Sequence, residues 1–264
     1  MTCEEALEYI HSVCWKGAIP GLERTETLLK KMGNPEKKLK FVHIAGTNGK
    51  GSTAAMTASI LRKAGYRTGL YTSPYIYRFH ERMQVDGVEI SDRELAEITQ
   101  YVKPLAESMT ESPTEFELVS CIAFEYFCRS KCDIVVLEVG MGGALDSTNV
   151  IEVPEVAVIT NIGLDHTEYL GDTIEKIAET KSGIFKENGH AVVYRGTPSV
   201  EAIYERVSHT PAACSFPGEN ARSWEALGEA RPGQSSLSAG ALALSRLGAE
   251  LELRRSGSSL GPSQ

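Results

Sequence analysis

The chain has 264 residues, 42% of them hydrophobic and 23% charged, a composition that fits neither a disordered polymer nor a membrane protein. Its 27 Lys and Arg against 35 Asp and Glu leave a formal net charge of −8, which argues against a protein that grips nucleic acid through a basic face. A local phosphate site stays open, because backbone N–H groups hold phosphate without net positive charge.

The N-terminus, MTCEEALEYIHSVC, has acidic residues where a signal peptide would carry Lys or Arg. Ala6, Leu7, Ile10 and Val13 recur at helical spacing, as do Leu22, Leu28, Leu29 and Met32, and Gly33-Asn34-Pro35 stops the second helix. Leu39–Ala45 reads as a buried strand entering the loop Gly46-Thr47-Asn48-Gly49-Lys50-Gly51-Ser52. Ala54–Lys63 then has helical composition, Gly65 ends it, and Arg67–Tyr71 is a second strand. This is a βαβ unit with a phosphate site at its first turn. An aromatic-rich loop, Thr72–Arg82, precedes a hairpin turning at Asp86-Gly87. Ser91 and Glu94 form a capping box for a helix running toward Pro104. A helix over Thr114–Arg129, strands over Ile134–Val139 and Val156–Thr160, and a helix over Thr173–Phe185 follow.

This alternation predicts an α/β fold with a mainly parallel sheet, flanking helices and a P-loop, in a ligand-binding domain over residues 1–213. From Ser215 to Gln264 there is no Lys, Ile, Val, Tyr or Asp, so residues 214–264 are expected to be a poorly ordered Ser/Gly/Ala/Arg-rich tail. The cysteines (Cys3, Cys14, Cys121, Cys128, Cys132 and Cys214) form no Cys-x-x-Cys pair, and several fall in apolar helical patterns where Cys acts as a small hydrophobe. With no apolar run of about 18 residues to span a bilayer, a reduced, cytoplasmic protein is expected.

The Gly-rich loop carries the strongest chemical signal. Its glycines let successive N–H groups converge on phosphate oxygens, the following helix adds its positive end, and Lys50 supplies a point charge. Two positions depart from the usual P-loop: Ile44 stands where the first Gly would be, and Gly51 replaces the Ser or Thr whose hydroxyl normally meets Mg²⁺.

HIAGTNGKGS, YTSPYIYRFHERMQVDG, LEVGMGGALDSTN and TNIGLDHTEYLGDTIEKIAETKSGIFK together resemble the folylpolyglutamate synthase and dihydrofolate synthase family, a branch of the Mur-type ATP-dependent amide ligases. The resemblance covers about Thr2 to Val207, and implies that residues 1–213 are the ATP-binding ligase domain, an incomplete N-terminal and central part of the Mur ligase central-domain type. It implies nucleotide binding by Thr47, Asn48, Gly49, Lys50, Gly51 and Ser52, and two Mg²⁺ ions, one on Ser73 and Glu138 and a second on His166. It also implies that Lys181 is carried as a carbamate, and that Lys50, Lys181 and His166 act in catalysis. Taken alone, Glu138 reads equally as a strand-end carboxylate meeting solvent, His166 as a structural histidine and Lys181 as a solvated helix lysine. The pterin-binding segments correspond to Thr114, Glu115, Phe116 and Glu117 and to Leu145, Asp146 and Ser147; Phe116 offers a face for a flat heterocycle, though an aromatic at helical spacing is more often core. Ala144 stands where family members often have Arg.

The activity implied is ATP-dependent joining of L-glutamate to a folate or to dihydropteroate through an acyl phosphate, by a monomer that binds neither nucleic acid nor membrane. Two other readings are an inactive fragment that binds nucleotide or pterin, and a generic P-loop phosphotransferase. The family carries a second α/β domain after this one, which the tail does not resemble. A shifted frame or truncated gene would produce such a tail, and phosphate-site binding with negligible glutamate ligation is then expected.

Overall fold

The computed structural model describes residues 1–13, 21–187, 189–193, 199–203 and 214–215. Two helices open the chain, α1 (Cys3–Ser12) and α2 (Glu23–Lys31). The hydroxyl of Thr2 accepts the Glu5 N–H while the Glu5 carboxylate accepts the Thr2 N–H, so α1 starts on a closed capping box. The same device starts α4 (Asp92–Glu107) at Ser91 and Glu94, and α5 (Glu115–Arg129) at Thr114 and Glu117. The strands are β1 (Phe41–Ala45), β2 (Thr68–Tyr71), β3 (Met83–Val85), β4 (Val88–Glu89), β5 (Ile134–Glu138), β6 (Val156–Ile159), β7 (Ala191–Val193) and β8 (Cys214–Ser215). Helix α3 (Lys50–Lys63) joins β1 to β2, and α6 (Thr167–Leu170) and α7 (Ile174–Ser182) lie between β6 and β7.

These strands form one sheet in the order β4-β3-β2-β5-β1-β6-β7-β8. From β2 to β8 neighbouring strands are parallel, and the β3–β4 hairpin adds an antiparallel edge. Asp86 and Gly87 both adopt positive φ, 54° and 80°, as a two-residue hairpin turn demands. Helices cover both faces, which is why strands such as β1 and β5 are buried at every position instead of alternating. On one face Phe41, Tyr71, Val135 and Leu137 pack with residues of α1, α2, α4 and α5; on the other Val42, Ile44, Val136 and Val158 pack with Ala54, Ala58 and Leu61 of α3. A further cluster joins Ala157, Ile159 and Val193 to Ala178 of α7. Among the described residues, no helix is long and apolar enough to cross a membrane.

The expected α/β class, the parallel sheet and the order of the main elements are those observed. Three local differences have physical causes. Helix α3 begins at Lys50 rather than Ala54, because Gly49 at φ 78° turns the chain straight into the helix despite the weak propensities of Gly51 and Ser52. Helix α4 passes through Pro104 to Glu107: a proline this near the end removes only its own donor, and the Ser108 N–H still reaches the Pro104 carbonyl at 3.2 Å. Strand β7 has three residues, too short for any periodicity, and exists through its parallel pairing with β6. Beyond residue 213, Cys214–Ser215 pair with β7, so the sheet reaches two residues past the expected boundary; the rest of the expected tail lies outside the described residues.

Phe124 is fully buried under the sheet, with its ring edge-on to Phe41 at 5.7 Å between centroids. Phe124→Ala should cost about 3–5 kcal/mol, the usual cost of deleting a buried aromatic side chain. Urea unfolding measures it; a loss below about 1 kcal/mol would show that this face of the core is not close-packed.

Candidate nucleotide and substrate site

The carboxyl ends of β1, β2, β5 and β6 lie side by side, and the loops leaving them form the site, as in other open parallel sheets. The loop after β1 is tied to the segment after β6. Asn48 donates its N–H to the Asn161 side-chain oxygen at 2.8 Å, and the Thr47 N–H reaches the Asn161 carbonyl at 2.9 Å. The Thr47 hydroxyl donates to the Gly163 carbonyl at 3.1 Å and accepts the Gly163 N–H at 2.9 Å. Thr160 closes the loop from below, its hydroxyl donating to the Asn48 carbonyl at 2.6 Å. A Cβ on Gly46 would overlap that same hydroxyl, and φ of 147° independently demands glycine there. The ammonium of Lys50 lies 3.0 Å from the Gly46 carbonyl and 3.2 Å from that of Thr47.

Ser73 and Glu138 are brought together: the Ser73 N–H donates to the Glu138 carboxylate at 3.1 Å. Glu138 is buried at 4% exposure, so it is no solvent-facing strand end. Burial raises its pKa, opposed by the Ser73 N–H, the charge of Lys50 and the Gly51 N–H. A Cβ on Gly51 would come within 3.3 Å of this carboxylate, tighter than ordinary contact, so the missing hydroxyl of the loop leaves the space in front of Glu138 clear. The buried Glu138 carboxylate and the hydroxyl of Ser73, the residue whose N–H it accepts, are hard-oxygen donors of the kind Mg²⁺ takes.

Lys181, near the end of α7, is buried at 3% exposure, and its ammonium donates to the Gly46 carbonyl at 3.0 Å. Burial and the nearby Lys50 push its pKa down to about 8. A buried amine that loses its proton this easily can act as a nucleophile near neutral pH. His166 stands apart. Its side chain is 52% exposed, its ring faces Asp165 at 3.6 Å, and among the described residues no hydrogen bond joins it to Ser73 or Glu138. It occupies the left-handed position (φ 47°) that starts α6.

On the far side of Ser73 lies a cavity of about 520 Å³ whose walls include Ser73, Thr114, Glu115, Phe116, Glu117, Leu145, Asp146 and Ser147. All the expected substrate residues therefore meet in one space with Ser73, although they come from segments thirty residues apart. Phe116 is half-buried, and a Cβ on Gly140 would overlap its ring, so only glycine there lets the aromatic face form the wall. Ala144 also lines the cavity, pinned by its N–H to the Thr180 carbonyl at 2.9 Å. Glu117 and Asp146 are held by their own structure. Glu117 closes the α5 cap and takes a two-point ion pair from Arg24, at 3.0 and 2.7 Å. Asp146 accepts the N–H groups of Met141 and Thr148 and the Thr148 hydroxyl, and burial raises its pKa.

Arg82, Asn161, Thr160 and Tyr169 were not singled out from the sequence. Arg82 lines the cavity, donates to the Ser73 hydroxyl at 3.1 Å and keeps a buried Nε without a hydrogen-bond partner. Its only sequence signal is its place in the aromatic loop after the Ser73 turn, where an arginine reads equally as a surface charge.

The Lys181 environment has a consequence for stability. Between about pH 8 and the ordinary lysine range the unfolded state binds more protons than the native one, so stability rises with pH there; below about 8 both states are protonated and the burial penalty is constant. Urea unfolding of the wild type and Lys181→Met from about pH 7 to about pH 10 should show the wild type gaining on the variant as pH passes through about 8. A constant difference would mean that the amine is not desolvated.

Set against known proteins, residues 44–245 match the Mur ligase middle domain, a match that runs past Val207. The dihydrofolate synthase/folylpolyglutamate synthase of Bacillus subtilis is 46% identical over 205 residues, covering 76% of this chain and 46% of that protein. The folylpolyglutamate synthase of Lacticaseibacillus casei is 39% identical over 208 residues, 77% of this chain and 48% of that one. A solved FPGS–AMPPCP–folate complex superposes with a TM-score of 0.77 at 38% identity, covering 82% of this chain and 53% of that one. The chain spans about half the length of these relatives. With its tethered Gly-rich loop, buried Glu138 and adjoining cavity, the chain belongs to the Mur ligase family, in the branch of the folylpolyglutamate and dihydrofolate synthases.

Proposed function

We propose that this chain carries the ATP site and the acceptor site of a ligase that joins L-glutamate to a folate or to dihydropteroate. The observation that carries this reading is the shared wall: Ser73 lines the cavity and donates to Glu138, whose carboxylate borders Gly51 of the phosphate loop. A heterocycle seated against Phe116 would thus have its carboxylate end beside the ATP phosphates. The relatives named for this activity, and the neighbour holding AMPPCP and folate, support the same reading.

The acceptor carboxylate attacks the γ-phosphorus of ATP, giving an acyl phosphate and ADP. The glutamate amine then attacks the acyl carbon, phosphate leaves, and the amine gives up a proton. The Gly49, Lys50 and Ser52 amides at the start of α3 hold the phosphates, those of Thr47 and Asn48 fixing the loop to Asn161, and the Lys50 ammonium exchanges the Gly46 and Thr47 carbonyls for phosphate oxygens. Phe116 and the Gly140–Gly143 turn orient the flat end of the acceptor; Glu117 and Asp146 keep these walls in place. Ser73 and Glu138 would hold one Mg²⁺, and His166 with a carbamylated Lys181 a second, the ions neutralising charge on the transferring phosphoryl group. Carbamylation of Lys181 joins its neutral amine to CO₂ with loss of a proton, which its low pKa favours.

Mixing the chain with MgATP, glutamate and either acceptor tests the reading. Phosphate release that needs both acceptor and glutamate supports it. Release indifferent to both identifies a generic phosphotransferase; binding of MgATP and acceptor without release supports the two sites and rejects ligation by this chain alone, and failure to bind either overturns the reading. Lys50→Ala should weaken MgATP binding at least tenfold in calorimetry with the fold intact; unchanged affinity would remove the loop from the ATP site. Glu138→Gln keeps the shape and loses the charge, so any Mg²⁺-dependent nucleotide binding or turnover should fall steeply. Activity surviving at ordinary Mg²⁺ would show that Glu138 holds no metal.

A further inference from the structure

Away from the cavity, three potential ligand atoms from three separate segments converge. The Cys3 thiol at the start of α1 lies 3.6 Å from His80 Nε2, and Asp92 Oδ1 at the start of α4 lies 2.9 Å from the same nitrogen. The ligand atoms of the three residues all fall within 4.8 Å of one another, and among the described residues this is the one such His/Cys/Asp/Glu group. His80 is buried at 4% exposure, Cys3 is half-buried and Asp92 is exposed, so the cluster is held from inside and open to solvent on one side.

Without a metal, the Asp92 carboxylate can accept both the His80 Nε2–H and the Cys3 S–H, so one exposed carboxylate gathers two donors. A divalent cation would take the place of those protons, because thiolate, imidazole and carboxylate can all face it at once. For zinc, with Zn–S of about 2.3 Å and Zn–N or Zn–O of about 2.0 Å, tetrahedral ligand atoms sit roughly 3.3–3.6 Å apart. The 3.6 Å sulfur–nitrogen distance already fits, and the 2.9 Å nitrogen–oxygen pair needs only to open by a few tenths of an ångström. Asp92, exposed at the first residue of a helix, is the ligand best able to make that movement.

We propose that Cys3, His80 and Asp92 form a zinc site with water as the fourth ligand. On binding, the thiol loses its proton to solvent and the imidazole proton moves to Nδ1, leaving the site electrically neutral: one Zn²⁺, one thiolate, one carboxylate. Arg78, which lies 3.6 Å from Asp92 and pairs with Glu89, turns wholly to Glu89. The metal would clip α1 and α4 to the 3₁₀ turn Phe79–Arg82, whose last residue, Arg82, bonds the Ser73 hydroxyl. It would therefore stabilise one wall of the substrate cavity from behind.

Cobalt(II) is the probe. Titrated into metal-stripped full chain, one equivalent should develop the near-ultraviolet thiolate-to-cobalt absorption, and zinc should displace it. A Co²⁺ ion at Ser73 and Glu138 has no sulfur ligand and gives no such band. Cys3→Ser should abolish the band, and Asp92→Asn should weaken binding while leaving the band at saturation; circular dichroism checks that both variants are folded. Cys14→Ser and Cys214→Ser should leave the band unchanged. No thiolate band in the wild type, or one that survives Cys3→Ser, overturns the proposal.

Discussion

The contact on which the site depends is the approach of the Gly46 backbone to Thr160 across the ends of β1 and β6. There is no room for a side chain at Gly46, and the Thr160 hydroxyl beneath it ties down the Asn48 carbonyl. With that contact made, Asn161 and Gly163 take up Thr47 and Asn48, and α3 can begin at Lys50 with its N-terminus directly on the loop. The parallel pairing of β1 between β5 and β6 then places Glu138 opposite Ile44, two residues before Gly46.

Charge within this region is arranged to be changed by what binds. Lys50 and Lys181 both direct their ammonium groups at the Gly46 carbonyl, close enough that Lys50 disfavours the charge on the buried Lys181. Glu138 is the neighbouring anion, buried and supported by backbone N–H groups and by Lys50. Groups held this way cost stability in the protein alone and become favourable when oppositely charged ligands arrive, which is how a binding site differs from a core.

Beneath the cavity the polar groups have a purely structural task. His43, fully buried on β1, contacts the Thr148 hydroxyl at 2.9 Å, and burial drives its pKa to about 3, so it stays neutral at any physiological pH. Thr148 bonds Asp146, while Ser147 bonds Ser120, which reaches Tyr71 on β2. This chain of contacts sets the height of the Gly140–Ser147 turn over the sheet, and with it the width of the cavity.

The local signals in the sequence determined the elements. Capping boxes at Ser91 and Thr114, the Asp86-Gly87 turn, the apolar runs at β1, β5 and β6 and the glycines around Lys50 each act through neighbours a few residues away, so they can be read without a fold. Resemblance to a family added the expectation that Ser73, Glu138, His166 and Lys181 serve one site; the geometry brings Ser73, Glu138 and Lys181 to the phosphate loop, while His166 faces Asp165 at its exposed place before α6. Tertiary structure alone decided the rest. Whether Glu138 and Lys181 are buried, that Glu117 answers Arg24, and that Arg82 reaches Ser73 depend on segments tens of residues apart meeting across the sheet. Nothing along the chain links Cys3 to His80 and Asp92; the fold sets the three together. Periodicity and turn chemistry report forces along the chain, whereas desolvation and pairing of charges arise between elements, and only the packed sheet and its helices specify them.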